Sequence, residues 1–286
     1  MTSGIGHPQN ANQVAYWNGP GGQHWAKRQH AQDAMLAPIS AILIDRSEVK
    51  PGERIVDIGC GCGATTIAVA AKVGPTGHVL GIDISEPMLA RARELAPKDA
   101  PVDFALADAT VHQFKGASAD LVISRFGVMF FADPERSFEN IRTAVRSGGR
   151  LAFVCWREPR ENPWMMVPLQ AAYQHVPKLP PLGPEDPGPF AFASKERVDR
   201  ILRHAGFTNV AIHPHDLSLD LAIGNGLDAA VDAALEMGPA SRALEGQPPD
   251  AVAAATASIR KALLPFAKGA SVLLPAAIWI VTALEP

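Results

Sequence analysis

Between Glu53 and Trp156 short apolar runs alternate with helix-compatible stretches, and this alternation constrains the fold more than any other feature of the chain. Residues 54–58, 78–82, 102–107, 120–124 and 150–156 read as buried strands. Residues 64–73, 85–96 and 134–145 read as the helices between them. The punctuation agrees. Gly74-Pro75 ends the first helix, Ser85 stands at an N-cap position with Pro87 in the first turn, and Asp133 and Ser147-Gly148-Gly149 bracket the third helix. Strands alternating with helices at this spacing imply βαβ units and a mostly parallel sheet, and right-handed crossovers place helices on both of its faces.

The flanks read differently. Residues 14–49 are helix-compatible, with a break at 18–22, and residues 157–192 are proline-rich, with 178–189 irregular. A helix at 195–205, a sixth strand at 207–213, alanine-rich helices over 227–266 broken at 246–249, and a closing strand at 271–283 complete the chain. The expected organisation is an N-terminal helical cap over 1–49 and a core over 50–286. Lid insertions are expected in that core at about 157–193 and 217–268.

With 286 residues, 47% of them hydrophobic and 19% charged, the chain can bury a real core. A net charge of −3 without a basic run disfavours a nucleic-acid partner, because neutralising phosphates needs a positive face. Cys60, Cys62 and Cys155 are too few and wrongly spaced for a disulfide framework. Cys60 and Cys62 lack the second pair a metal site would need, so no metal is expected. The opening residues have neither the basic nor the apolar region of a signal peptide. The apolar run 270–284 contains Pro275 and is too short to span a bilayer. A cytoplasmic protein with no membrane partner is therefore expected.

Asp57-Ile-Gly59-Cys-Gly61-Cys-Gly63 sits where the first strand becomes the first helix. Glycines there let the backbone turn tightly and approach a ligand, and the helix start offers unpaired N–H groups. Asp57 lies inside the strand. Asp83 ends the second strand, roughly 20 residues past the loop, where a carboxylate can take both hydroxyls of a ribose. Asp108, followed by Ala109, ends the third. The same loop also satisfies G-x-G-x-x-A from Gly59 to Ala64, a dinucleotide signature. An acid at Asp57 would repel a pyrophosphate but suit a cationic ligand.

The ordered set V-D-I-G-C-G-C-G, G-I-D-I-S, A-D-A, D-L-V-I-S and S-G-G-R-L resembles the class I S-adenosylmethionine-dependent methyltransferases. Within them it is most similar to the menaquinone/ubiquinone-biosynthesis and small-molecule group, over about residues 54–156. The resemblance implies an α/β, Rossmann-like, mostly parallel seven-stranded sheet with an antiparallel last strand. It also implies S-adenosylmethionine as cofactor. Asp57 with Gly59, Gly61 and Gly63 would hold the methionyl part, and Asp83 the ribose. Ile84 and Met88 would pack near the adenine, and Asp108 and Ala109 would contact it. Ser124 and Arg125 would lie beside the sulfonium.

Tyr16-Trp17-Asn18-Gly19 and Trp25 are similar to the caps of related proteins. Ser124-Arg-Phe-Gly127 stands where relatives that methylate base or glutamine nitrogens carry an Asn/Asp-Pro-Pro-aromatic stretch, which disfavours that substrate class. The cap and insertions are expected to roof a chamber for a small organic substrate, with Trp25, Arg125 and Trp156 facing it. Trp17 and Trp164 read as packing residues. No catalytic base is assigned, because an acidic acceptor needs none, and the acceptor atom (O, N, C or S) stays open. An NAD-dependent oxidoreductase and a non-catalytic cofactor-binding protein remain as alternatives.

Overall fold

The run Ile55-Val-Asp-Ile58 has no polar alternation and needs cover on both faces. In the computed structural model, which describes residues 6–183 and 185–286, it forms the buried strand β1 (Arg54–Ile58). The first five residues, part of the stretch read for a signal peptide, and Pro184 of the irregular stretch lie outside the described residues. Ahead of β1 come α1 (Ala11–Asn18), α2 (Pro20–Lys27) and α3 (Gln29–Arg46). After it come α4 (Ala64–Val73), β2 (His78–Asp83), α5 (Glu86–Leu95), β3 (Val102–Leu106), β4 (Ala119–Arg125), α6 (Pro134–Arg142) and β5 (Val145–Trp156). The chain closes with α7 (Pro163–Ala172), α8 (Lys195–His204), β6 (Thr208–Asp220), α9 (Gly226–Glu236), α10 (Gly238–Leu244), α11 (Pro249–Leu263), β7 (Ala267–Lys268) and β8 (Ser271–Leu284).

The sheet runs in the order β3-β2-β1-β4-β5-β8-β6, and the two-residue β7 pairs with the start of β8. The pairs from β3 through β5 are parallel, and β8 is antiparallel to both β5 and β6. This is the Rossmann-like sheet with an antiparallel last strand. Strand order reverses between β1 and β4, so the loops after these two strands diverge and open a crevice at their carboxyl ends. Right-handed crossovers put α4 and α5 on one face, where α3 joins them by packing on α4, and α6 on the other, where it meets α8. Fully buried Phe138, Phe153 and Phe192 tie that second face together with ring centroids 5.7–6.1 Å apart.

Several boundaries differ from the sequence reading, each for a local reason. The α1–α2 break is confined to Gly19, because Pro20 fits the first helical position of α2. Helix α6, capped as expected by the Asp133 carboxylate on the Arg136 N–H (3.1 Å), stops at Arg142. Val145 is already paired with Ala119, and a bulge absorbs the residues up to Arg150. Strand β6 continues past His213 to Asp220, since the long β8 offers partners as far as Leu273. Pro214, which has no N–H to donate, is tolerated because β6 is an edge strand. Residues 217–220, expected in the second insertion, therefore belong to the sheet, and the insertion begins after Asp220.

The two inserted segments meet each other and the cap. Helix α7 packs against α10 and α11. Its start is pinned by the fully buried Asn162, whose amide donates to the Ala277 carbonyl (3.2 Å) and accepts from the Ala277 N–H (3.0 Å). An Arg28–Glu236 ion pair joins the cap to α9, and Arg242 lies 5.6 Å over the Tyr16 ring. Among the described residues no helix is long and apolar enough to cross a membrane.

Candidate active site

The loop from β1 to α4 is built by close backbone approach. Gly59 has φ +68°, and a Cβ there would sit 2.6 Å from the Gly127 Cα, so the loops after β1 and β4 touch. At Gly61, with φ +56°, a Cβ would sit 2.8 Å from the Met88 Cε. The loop is tied to β2 by the Gly59 and Cys60 N–H groups donating to the Ile82 carbonyl (2.8 and 3.1 Å). Asp83 completes the tie: one carboxylate oxygen accepts from the Gly61 N–H (2.8 Å), the other from the Ser85 N–H (2.9 Å). The contact with Gly59 makes Gly127→Ala a test of this packing, because its Cβ would lie 2.7 Å from both the Gly59 Cα and the Ile58 oxygen. The variant should lose about 1–3 kcal/mol in denaturant unfolding. An unchanged midpoint would show that the two loops separate without cost.

Three carboxylates stand at the strand ends in different environments. Asp57 is 1% exposed; the Thr66 hydroxyl donates to its Oδ2 at 2.7 Å, while its Oδ1 has no protein partner. Burial pushes its carboxyl up to about 7, against the opposing pull of the Thr66 bond and the Arg125 charge. Burial also raises Asp83, opposed by the Gly61 and Ser85 N–H groups. Asp108 is held by the N-terminal segment: its Oδ2 accepts from the His7 N–H (2.9 Å) and the Asn10 amide (2.7 Å), and its Oδ1 from the Thr110 N–H (2.9 Å).

A cavity of about 200 Å³ opens above these acids. Asp57, Gly59 and Gly61 line it from the first loop; Asp83, Ile84 and Met88 from the second; Asp108 and Ala109 from the third; Arg125 and Trp156 from the ends of β4 and β5; and Trp25 from the cap. Gly63 and Ser124 were expected in the same set but do not line it. A Cβ on Gly63 would press on Ala92 and Phe104 at 3.0 Å, so this glycine admits side chains of α5 and β3 beside the start of α4. Ser124 is fully buried and donates its hydroxyl to the Ile58 carbonyl (2.7 Å), bridging β4 to β1.

Arg125 is already partnered from α3, by the Ser40 hydroxyl (2.8 Å) and the Asp33 carboxylate (3.2 Å). Trp156 stacks on Phe126 at 4.2 Å, and Trp25 meets Trp17 edge-on at 6.1 Å. Ser85 stands at the start of α5, but its hydroxyl donates to the Trp17 carbonyl (2.6 Å), and the Asn18 side chain accepts from the Glu86 N–H instead (3.0 Å). The expected capping serine thus docks the N-terminal helices.

Sequence reasoning missed Asn10, Gln32, Phe130 and Met237, which also line the cavity, and read Trp17 and Trp164 as packing residues although both line it. Only the tryptophans carried a signal, their aromatic character. Cys60 and Cys62 line it too, with burial raising both thiols, Cys62 to about 12, so neither is a nucleophile at neutral pH.

Residues 56–153 match the family model described as a methyltransferase domain. Nocamycin O-methyltransferase of Saccharothrix syringae is 31% identical over 192 residues, 64% of this chain and 69% of the relative. Aklanonic acid methyltransferase of Streptomyces sp. (strain C5) is 37% identical over 120 residues, 41% of this chain. The match spans only about half of that relative, 54%. Phosphoethanolamine N-methyltransferase 2 of Haemonchus contortus, solved with S-adenosyl-L-methionine, shares the fold at 19% identity and a TM-score of 0.57, covering 95% of this chain and 59% of that one. A sheet that reverses at a glycine loop, acids at the ends of its first three strands, and a relative 31% identical across more than two thirds of its length lead to one assignment: the chain belongs to the class I S-adenosylmethionine-dependent methyltransferases.

Proposed function

We propose that this protein transfers a methyl group from S-adenosylmethionine to a small, largely apolar organic molecule. The observation that carries this reading is Asp57, which lines the cavity and whose Oδ1 is a buried carboxylate oxygen with no protein partner. A buried acceptor of this kind is costly unless a donor meets it, and the α-ammonium of the cofactor is such a donor. The other residues fit the same group. Gly59 and Gly61 leave room for its methionyl part, Asp83 has lone pairs left for two ribose hydroxyls, and Ile84, Met88 and Ala109 offer an apolar slot for the adenine. Asp108, braced by Asn10, closes that end. A pyrophosphate in the same place would face three carboxylates, with Arg125 already paired to Asp33.

The cofactor supplies a methyl group already activated on a sulfonium, so the protein's task is to position the acceptor in line with it and exclude water. Cap helices α1–α3, α7 and the α9–α10 junction form the roof, and Trp25, Trp156 and Arg125 face the acceptor. The aromatic and methionine lining favours a compact organic molecule over a polymer, which needs an open groove. The names of the nocamycin and aklanonic acid enzymes point to the same substrate class.

Calorimetry with S-adenosylmethionine, S-adenosylhomocysteine and NAD tests the reading. The first two should bind and raise the melting temperature by mass action, and NAD should do neither. Binding of NAD, with no binding of S-adenosylhomocysteine at millimolar concentration, would overturn it.

A further inference from the structure

Asp57 Oδ1 has two counterparts on other residues that line the cavity. Gln32 Oε1 on α3 and Trp164 Nε1 on α7 are buried and have no protein partner, and both residues line the cavity. Gln32 is 1% exposed and Trp164 9%. Folded proteins pair the great majority of their buried polar side-chain atoms. An acceptor and a donor left over around one cavity are complementary to a ligand that brings a donor and an acceptor of its own. Neither residue belongs to the glycine loop or the strand-end acids: Gln32 comes from the cap helix α3 and Trp164 from helix α7.

Their surroundings define the rest of that ligand. Trp164 lies 5.1 Å from Trp156, which is stacked on Phe126, and Trp17 meets Phe130 edge-on at 5.3 Å. Flat aromatic walls favour a flat apolar body through offset or edge-on ring packing. Among the described residues Arg125 is the one arginine or lysine lining the cavity, and Asp33 balances it, so no free cation meets an anionic substituent, while the carboxylates of Asp57, Asp83 and Asp108 are those the cofactor reading takes up.

Resting on the cofactor reading above, we propose that Gln32 and Trp164 are the specificity-determining contacts of the methyl acceptor. That acceptor is a flat, uncharged ring system. It presents a hydroxyl or N–H to the Gln32 carbonyl and a carbonyl oxygen to the Trp164 indole N–H. A site built to hydrogen-bond such groups rejects analogues that lack them, because its own buried polar atoms are then left unpaired.

The test uses the full chain loaded with S-adenosylhomocysteine, titrated calorimetrically with four naphthalene probes. These are 6-acetyl-2-naphthol (both groups), 2-naphthol (hydroxyl only), 2-acetonaphthone (carbonyl only) and 2-ethylnaphthalene (neither). The bifunctional probe should bind the wild type at least about tenfold more tightly than 2-ethylnaphthalene. Trp164→Phe keeps a ring but removes the N–H, so it should erase the advantage of the acetyl group and leave that of the hydroxyl. Gln32→Leu should do the reverse. Equal affinities for all four probes in the wild type, no binding of any of them, or variants that weaken all four alike would each overturn the proposal. S-adenosylhomocysteine affinity, measured first, separates the two readings. Its loss in the wild type refutes the cofactor assignment, whereas intact binding without probe discrimination refutes only the roles of Gln32 and Trp164.

Discussion

S-adenosylhomocysteine should bind about fivefold more weakly at about pH 6 than at about pH 7, and Asp57→Asn should flatten that profile. Burial holds the Asp57 carboxyl near 7 in the free protein, so below that pH it is largely protonated. An ammonium group beside its oxygen favours the carboxylate, so binding must expel the proton, and each pH unit below the free-protein value costs up to about tenfold in affinity. The stability of the free protein should move the opposite way. The folded-state value lies above the ordinary 3.8, so between about 4 and 7 the folded chain holds a proton that the unfolded chain has lost. Stability from this group therefore falls as pH rises through that window, by an amount on the order of 4 kcal/mol. Asp57→Asn keeps the hydrogen bond with Thr66 but removes the ionisation. It should melt higher than the wild type at about pH 8 without ligand and bind S-adenosylhomocysteine more weakly. Wild-type affinity that stays flat from about pH 6 to 8, with equal binding by the variant, would remove Asp57 from the site.

Asp83→Ala should lower S-adenosylhomocysteine affinity by about a hundredfold or more. Two hydroxyl bonds to a carboxylate are each worth roughly 1.5–3 kcal/mol, and about 1.4 kcal/mol is a factor of ten. The same carboxylate accepts from the Gly61 and Ser85 N–H groups, so alanine also removes one of the ties between the glycine loop and β2. Asp83→Asn separates the two effects. It retains one oxygen for an N–H, so its unfolding midpoint should stay closer to the wild type while its affinity still falls. Wild-type affinity in Asp83→Ala would show that the residue serves the loop alone.

The residues that were legible in the sequence are those whose position follows from a local element. Asp57, Gly59 and Gly61 lie at one strand–loop–helix turn, and Asp83 and Asp108 lie at ends of the next strands. A parallel sheet brings successive strand ends to one edge whatever covers them. The same locality misled at Ser124 and Gly63. In a strand, neighbouring side chains point to opposite faces, and Ser124 turns to the Ile58 carbonyl while Arg125 reaches the cavity. Gly63 lies in the right loop, but it faces Ala92 and Phe104, which only the packing of α5 and β3 brings there.

The sequence by itself determined the α/β core, its glycine turn and its row of acids, because strand and helix periodicity are written within a few residues. Only the tertiary structure decided the roof. Asn10 reaches Asp108 across 98 positions and Arg125 reaches Asp33 across 92. Asn162 meets Ala277 across 115, and Arg28 on the cap finds Glu236 on α9. Such pairings depend on how whole helices pack across the crevice. No spacing along the chain encodes that Gln32, from a helix before the first strand, and Trp164, from a helix after the fifth, line one cavity.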